Sequence, residues 1–222
     1  MLSMQSHWMI HQPLYDAAQE SLPLIAKYRA MNGTEDLEQL PVKQHIKKIF
    51  PDIYRAPLLR RQYCKMLLDE IQEMKEIGLF EANDEEDVLR QIPEIVLREK
   101  VPELYRTMYF IVQNVLQPIF FQLYQRNCAD IASIQLANYN IKDKQQGAWH
   151  HDESSDISVV VPLNSGDYDG KLKPLPTGHA LIFPSFTKLH RGLPVARGDR
   201  YLLVFWLYDR SRLQERTNLL LS

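Results

Sequence analysis

The chain has 222 residues, 45% hydrophobic and 24% charged, with a formal net charge of −2. That length suits one well-buried domain or a core domain with an added helical segment, and the charge balance argues against a protein held mainly by nucleic-acid phosphates or an anionic membrane. Two distant cysteines, Cys64 and Cys128, form no metal-ligand pair and no disulfide framework, and "MLSMQSHWMIHQPLYDAAQE" reads as neither a secretory signal nor a transmembrane span, so a reducing, cytoplasmic setting is expected.

In chain order, residues 12 to 31 read as a helix with Asn32-Gly33 as its stop signal. From Pro57 to Gly78, Tyr63, Leu67, Ile71 and Met74 recur at steps of three or four and predict a second helix. "EANDEEDVLR" reads as an acidic helix start or loop. Between Pro102 and Gln125, Leu104, Met108, Ile111, Val112, Val115 and Ile119 predict a further helix, kinked near its far end by Pro118. After residue 128 the periods shorten. "IASIQLANY" (131–139), "ISVVVPL" (157–163), "HALIFPSF" (179–186) and "RYLLVFWLY" (200–208) read as strands between Gly/Pro turns, which suggests a β-sandwich or barrel. No flexible linker divides the helical part from this β-part.

The chemistry concentrates in "WHHDESSD" (149–156). Side chains alternate faces in an extended strand, so His150 and Asp152 project together. His151 and Glu153 have the same spacing, and alternation does not choose between the two pairs. Downstream, "FTKLHRGLPVARGDRY" supplies His190, with Arg200 ten positions later. Two histidines and a carboxylate on one side of a metal leave neighbouring positions open, the facial arrangement of non-haem Fe(II) oxygenases. An arginine nearby suits a dicarboxylate co-substrate, because its guanidinium binds a carboxylate through two parallel hydrogen bonds.

"WHHDESSDISVVVPLN", followed by "PTGHALIFPSFTKLHRGLPVARGDRYLLVFWL", resembles the Fe(II)/2-oxoglutarate dioxygenase domain of the prolyl 4-hydroxylase and procollagen lysyl hydroxylase superfamily. The helical lead-in "PDIYRAPLLRRQYCKMLLDEIQEM" is similar to the segment before that domain, so the resemblance spans roughly residues 50 to 208. It implies an α+β fold, a double-stranded β-helix (jelly-roll) core with N-terminal supporting helices. The parts would be a helical extension (1–49), supporting helices packed on the core (50–130), the dioxygenase β-core (131–210) and a tail (211–222). It selects His150, Asp152 and His190 as ligands of Fe(II), Arg200 as the anchor of 2-oxoglutarate, and Tyr139 as a residue near that co-substrate. His151 becomes the outward neighbour. The implied reaction is hydroxylation of a C–H bond, with dioxygen consumed, succinate and CO2 released and ascorbate as an accessory. A prolyl or lysyl side chain of a protein is the first substrate expectation, a small molecule the second, and nucleic acid is disfavoured.

One departure stands out. "GDYDG" runs almost directly into "KLKPLPTG", where the family carries a glycine-rich strand. One strand of the jelly-roll is therefore expected to be trimmed, leaving a thinner minor sheet, an open mouth or impaired folding. Two rival functions follow the same residues: a non-catalytic jelly-roll binding module, and a hydrolytic zinc enzyme that would leave Arg200 unexplained. His7, His11, His45 and His179 read as surface or packing residues, Trp149 and Trp206 as packing near the site, and Asp156 and Glu153 as solvated or capping groups.

Overall fold

Apolar spacing sets the helices of the computed structural model, which describes residues 6–31, 33, 39–142, 145–164, 169–170 and 175–212. Helix α1 (Gln12–Ala30) buries Leu14, Ala17, Ala18, Ser21 and Ile25. It stops at the expected place: Gly33 has φ +67° and its N–H donates to Tyr28 O at 3.1 Å. A Cβ at Gly33 would lie 2.9 Å from the Tyr28 hydroxyl, so this turn needs glycine on two counts. Strands β1 (Lys47–Phe50) and β2 (Ile53–Pro57) follow. Helix α2 (Arg61–Glu76) buries Tyr63, Cys64, Leu67 and Ile71, as its period predicts. It begins later than Pro57, because that residue closes β2 instead.

The acidic segment resolves into β3 (Glu81–Ala82), a loop, and a 3₁₀ turn over Val88–Arg90. The turn opens with the Leu89 N–H donating to Asp87 Oδ1 at 3.0 Å. Strand β4 (Pro93–Val96) and the short helix α3 (Leu97–Lys100) lead into α4 (Pro102–Ile111). A π-turn over Val112–Leu116 then joins α4 to α5 (Gln117–Tyr124). Its cause is Pro118, which has no N–H to offer the Asn114 carbonyl one turn back. Gln19 of α1 supplies the missing donor: its Nε2 reaches Asn114 O at 3.0 Å. The expected kink thus becomes a docking contact for α1.

Six further strands complete the fold: β5 (Asp130–Asn140), β6 (Ile157–Pro162), β7 (Asp169–Gly170), β8 (His179–Pro184), β9 (Val195–Arg197) and β10 (Asp199–Tyr208). The large antiparallel sheet runs β1-β2-β8-β6-β10-β5-β4-β3, and β7 pairs with β9 in a second small sheet. Alternation divides β10 into two faces. Tyr201, Leu203, Phe205 and Leu207 are buried on one side, while Arg200, Leu202, Val204 and Trp206 are half-buried on the other. The first face meets Val159 and Val161 of β6, Ile182 of β8 and the buried stripes of the helices in one hydrophobic core. The helices therefore back one face of the sheet and leave the other free to carry the site. Cys64 and Cys128 are both buried thiols.

Strands from residues 47–57 and 81–96 join the sheet, so its strands begin well before residue 131. The trimmed connection expected before Pro174 lies largely outside the described residues, apart from β7. Among those residues, no helix is long and apolar enough to cross a membrane. Replacing Gln19 with Ala removes the donor that the Asn114 carbonyl uses. Chemical denaturation should then show a loss of about 1 kcal/mol, and an unchanged midpoint would rule out this contact as a support of the π-turn.

Candidate metal centre

His150 and His190 come from segments distant in sequence and meet as an isolated antiparallel bridge. The N–H of each donates to the carbonyl of the other at 3.0 Å, and the rings lie 4.3 Å apart between centroids. Asp152 completes the group. Its Oδ1 is 3.2 Å from His150 Nε2 and its Oδ2 is 3.4 Å from His190 Nε2. One ligand atom from each of the three residues lies within 4.8 Å of the others.

Hydrogen bonds on the far side of each ring fix which nitrogen faces inward. His150 Nδ1 is 2.8 Å from Ala148 O, and His190 Nδ1 is 2.9 Å from Lys188 O. A carbonyl only accepts, so each Nδ1 carries a proton, and each Nε2 is left to face the carboxylate and would offer a lone pair to a metal ion held there. Two Nε2 atoms and a carboxylate then converge, and such a cluster calls for a cation between its members, either a proton or a metal ion. The donor set fits Fe(II) in chemistry and in number. Phe183 packs edge-on against the His190 ring at 4.9 Å and limits its tilt.

Asp152 is 7% exposed. Burial raises its pKa, but hydrogen bonds from His150 and Ser158, with the charges of His190 and His150, outweigh that and hold the carboxyl below its usual range. Ser158 Oγ donates to Asp152 Oδ2, and the Ser185 hydroxyl lies 2.8 Å from Ser158 Oγ. The hydrogen bond to Asp152 is the largest influence on His150 and pushes its pKa up, whereas burial pushes that of His190 down. His151 and Glu153, the pair that alternation left open, are both exposed.

Arg200 and Tyr139 are partners across β10 and β5 and share one sheet face. The guanidinium lies over the Tyr139 ring at 4.1 Å, and its Nη2 donates to Leu193 O at 2.7 Å. Burial raises the Tyr139 pKa; Arg200 opposes this, while Glu94 and Asp152 add to it. Tyr139 thus feels the carboxylate of the histidine cluster as well as the arginine. Gly192 makes the arrangement possible, since a Cβ there would sit 2.2 Å from the Tyr139 hydroxyl.

Several contributors escape the sequence reading. Ser158 lies in β6 and Ser185 in the turn just after β8, and only the pairing of those strands brings them together. Glu94 of β4 stands opposite Ala137, on the face that Tyr139 shares. Burial and Asp84 push its pKa up to about 7, against a hydrogen bond from Gln135. Asp156, expected as a solvated or capping group, is a buried carboxylate bound to main chain. Its Oδ2 accepts from the Asp209 N–H at 2.8 Å, tying β6 to the end of β10. Trp149 is 59% exposed rather than packed, with the Arg191 guanidinium over its ring at 4.7 Å.

No family model matches the chain. It is 22% identical over 175 residues to a multifunctional procollagen lysine hydroxylase and glycosyltransferase of Caenorhabditis elegans, covering 71% of this chain and 24% of that protein. It is 26% identical over 176 residues to procollagen-lysine,2-oxoglutarate 5-dioxygenase 1 of Mus musculus, covering 69% and 23%. The chain spans about a quarter of the length of these relatives. Among solved structures, a Pseudomonas putida prolyl-4-hydroxylase superposes with TM-score 0.55 at 19% identity, over 71% of this chain and 92% of that one. A Trichoplax adhaerens prolyl hydroxylase, solved with a hypoxia inducible factor peptide fragment, gives TM-score 0.55 at 15% identity over 70% and 80%. These likenesses establish the jelly-roll fold with its antiparallel sheet and backing helices. On this fold the chain carries a His-Asp-His cluster at the spacing that ligands of one metal ion would have. In sequence and in fold the chain is thus similar to procollagen lysine hydroxylases and to prolyl hydroxylases.

The Ser158 hydroxyl stabilises the charged form of Asp152. In metal-free Ser158→Ala protein the Asp152 carboxyl should therefore titrate at higher pH than in the wild type, followed by NMR of the side-chain carbon. A titration that does not move would remove Ser158 from that role.

Proposed function

We propose that the chain hydroxylates a C–H bond with Fe(II), 2-oxoglutarate and dioxygen, releasing succinate and CO2. The observation that carries this reading is the convergence of two Nε2 atoms and a buried carboxylate beside an arginine–tyrosine pair. In it, His150, Asp152 and His190 hold the iron. Ala148 O and Lys188 O orient the two imidazoles by accepting their Nδ1 protons. Asp152 offsets one of the two positive charges of the metal, and Ser158 keeps that carboxylate ionised by donating to it. Arg200 pairs with the far carboxylate of the co-substrate through its planar fork, backed by the face of Tyr139. Bound iron and 2-oxoglutarate supply the oxidising power when present; the chain supplies an open ligand face, orientation and a partly dry pocket. A hydrolytic zinc centre would leave the arginine–tyrosine pair without a task.

The substrate is a prolyl or lysyl side chain of a protein or peptide. Support comes from the lysine hydroxylases among the relatives and from a structural neighbour that was solved with a peptide. Ascorbate as an accessory reductant belongs to the same reading.

Two measurements test it. Succinate formation from 2-oxoglutarate should require Fe(II) in the wild type and fall to background in His150→Ala, with peptides and amino acids offered in parallel. Binding of 2-oxoglutarate with no turnover on any of them would favour a binding module instead. Separately, Mn(II) binding should be lost in Asp152→Ala and kept in Glu153→Ala. The reverse pattern would move the metal to the outward pair, His151 and Glu153.

A further inference from the structure

Arg200 is held by its flanks. Asn164, just past the end of β6, is 6% exposed and is the residue that holds them. Its Nδ2 donates to Asp199 O at 2.8 Å, and its Oδ1 accepts from the Tyr201 N–H at 2.9 Å. One planar amide therefore spans the two peptide neighbours of Arg200 on the strand. The Leu163 N–H adds a bond to Tyr201 O at 3.0 Å.

Neither flank rests on Asn164 alone: β5 pairs with Asp199, Arg200 and Tyr201 along one side of the strand, and further groups hold the side chains. Asn138 Nδ2 donates to Asp199 Oδ1 at 3.3 Å, and Lys75 lies 3.6 Å from the same oxygen. Gln72 and Lys75 both donate to the Tyr201 hydroxyl, at 3.2 and 3.3 Å. These groups on α2 and β5 fix side chains; on the strand edge away from β5, Asn164 bonds the main chain at both neighbours of the arginine and Leu163 adds a bond at one of them. Strand alternation then sends Tyr201 to the helix side and Arg200 over Tyr139.

We infer that Asn164 is a positioning residue for 2-oxoglutarate binding: its amide sets the direction of Arg200 and thereby the affinity for the co-substrate, without touching the metal. This rests on the assignment of Arg200 as the co-substrate anchor. An aspartate at 164 would still accept from the Tyr201 N–H but could not donate to Asp199 O, so the two bonds separate by substitution.

The test measures binding of 2-oxoglutarate to the Mn(II)-loaded full chain without oxygen, and Mn(II) binding alone, for the wild type, Arg200→Ala, Asn164→Ala and Asn164→Asp. Arg200→Ala should abolish 2-oxoglutarate binding; if it does not, the anchor assignment fails and the inference with it. With that assignment standing, Asn164→Ala should weaken 2-oxoglutarate about tenfold, the size of two lost hydrogen bonds, and leave Mn(II) binding as in the wild type. Asn164→Asp should fall between. Wild-type affinity for 2-oxoglutarate in Asn164→Ala, or equal losses of metal and co-substrate, would overturn the positioning role. If Asn164→Ala unfolds, Asn164→Asp decides alone: 2-oxoglutarate weakened with Mn(II) unchanged supports the inference, and any other result overturns it.

Discussion

Between His150 and His190, two backbone hydrogen bonds of 3.0 Å join a segment that precedes β6 to one that follows β8. The rest of the site depends on that short ladder. Because paired residues of an antiparallel bridge share a face, the two imidazoles are forced to the same side. Alternation then returns Asp152 to that side and sends His151 away from it. A second backbone bond, Gly147 N–H to Gly192 O at 2.8 Å, continues the seam toward the arginine. The His150–Asp152–His190 cluster and the arginine–tyrosine pair are thus built along one line of main-chain contacts, with side chains added to it.

The charges follow from this geometry. Bringing three acceptor groups together in a partly dry place is costly until a cation neutralises them. The protein leaves that need in place and surrounds it with groups that cannot satisfy it from inside: carbonyls that occupy the outer ring nitrogens, and serines that favour the ionised carboxylate. On the opposite face of the same seam, Arg191 covers Trp149 and ties the two segments together away from the metal side. The positive charge that the chain does place nearby, on Arg200, lies over an aromatic face and donates to a carbonyl.

Much of this was legible in residue order. H-x-D, a later histidine and an arginine ten positions on carry the site, because ligand type and spacing are local properties of a strand. The strands 131–139, 157–163, 179–186 and 200–208 were legible for the same reason: β-branched and aromatic runs end at turn-formers. β1, β2 and β4 were not. Lys47–Phe50 is exposed at every position, Ile53–Pro57 carries an arginine and ends in proline, and Pro93–Val96 is four residues long. Their strand character comes from the neighbours they pair with. Asn164, Ser158 and Asp156 were illegible for a related cause, since a polar residue beside a strand looks solvated until its distant backbone partner is known.

The large sheet ends in two unlike margins. One is β1, whose first residues are Lys47 and Lys48, both exposed. The other is β3, two residues long, where Glu81 is already engaged by Lys100 at 2.7 Å. Adding a copy of β1 in parallel register along β1 would set lysines against lysines, and adding one along β3 would gain only a two-residue ladder. Open sheets are prone to recruit strands from their neighbours, and charge and brevity at the margins are how that is resisted. The lysine pair that hid β1 from a periodicity reading thus places charge on that rim, beside the exposed Ile49 and Phe50.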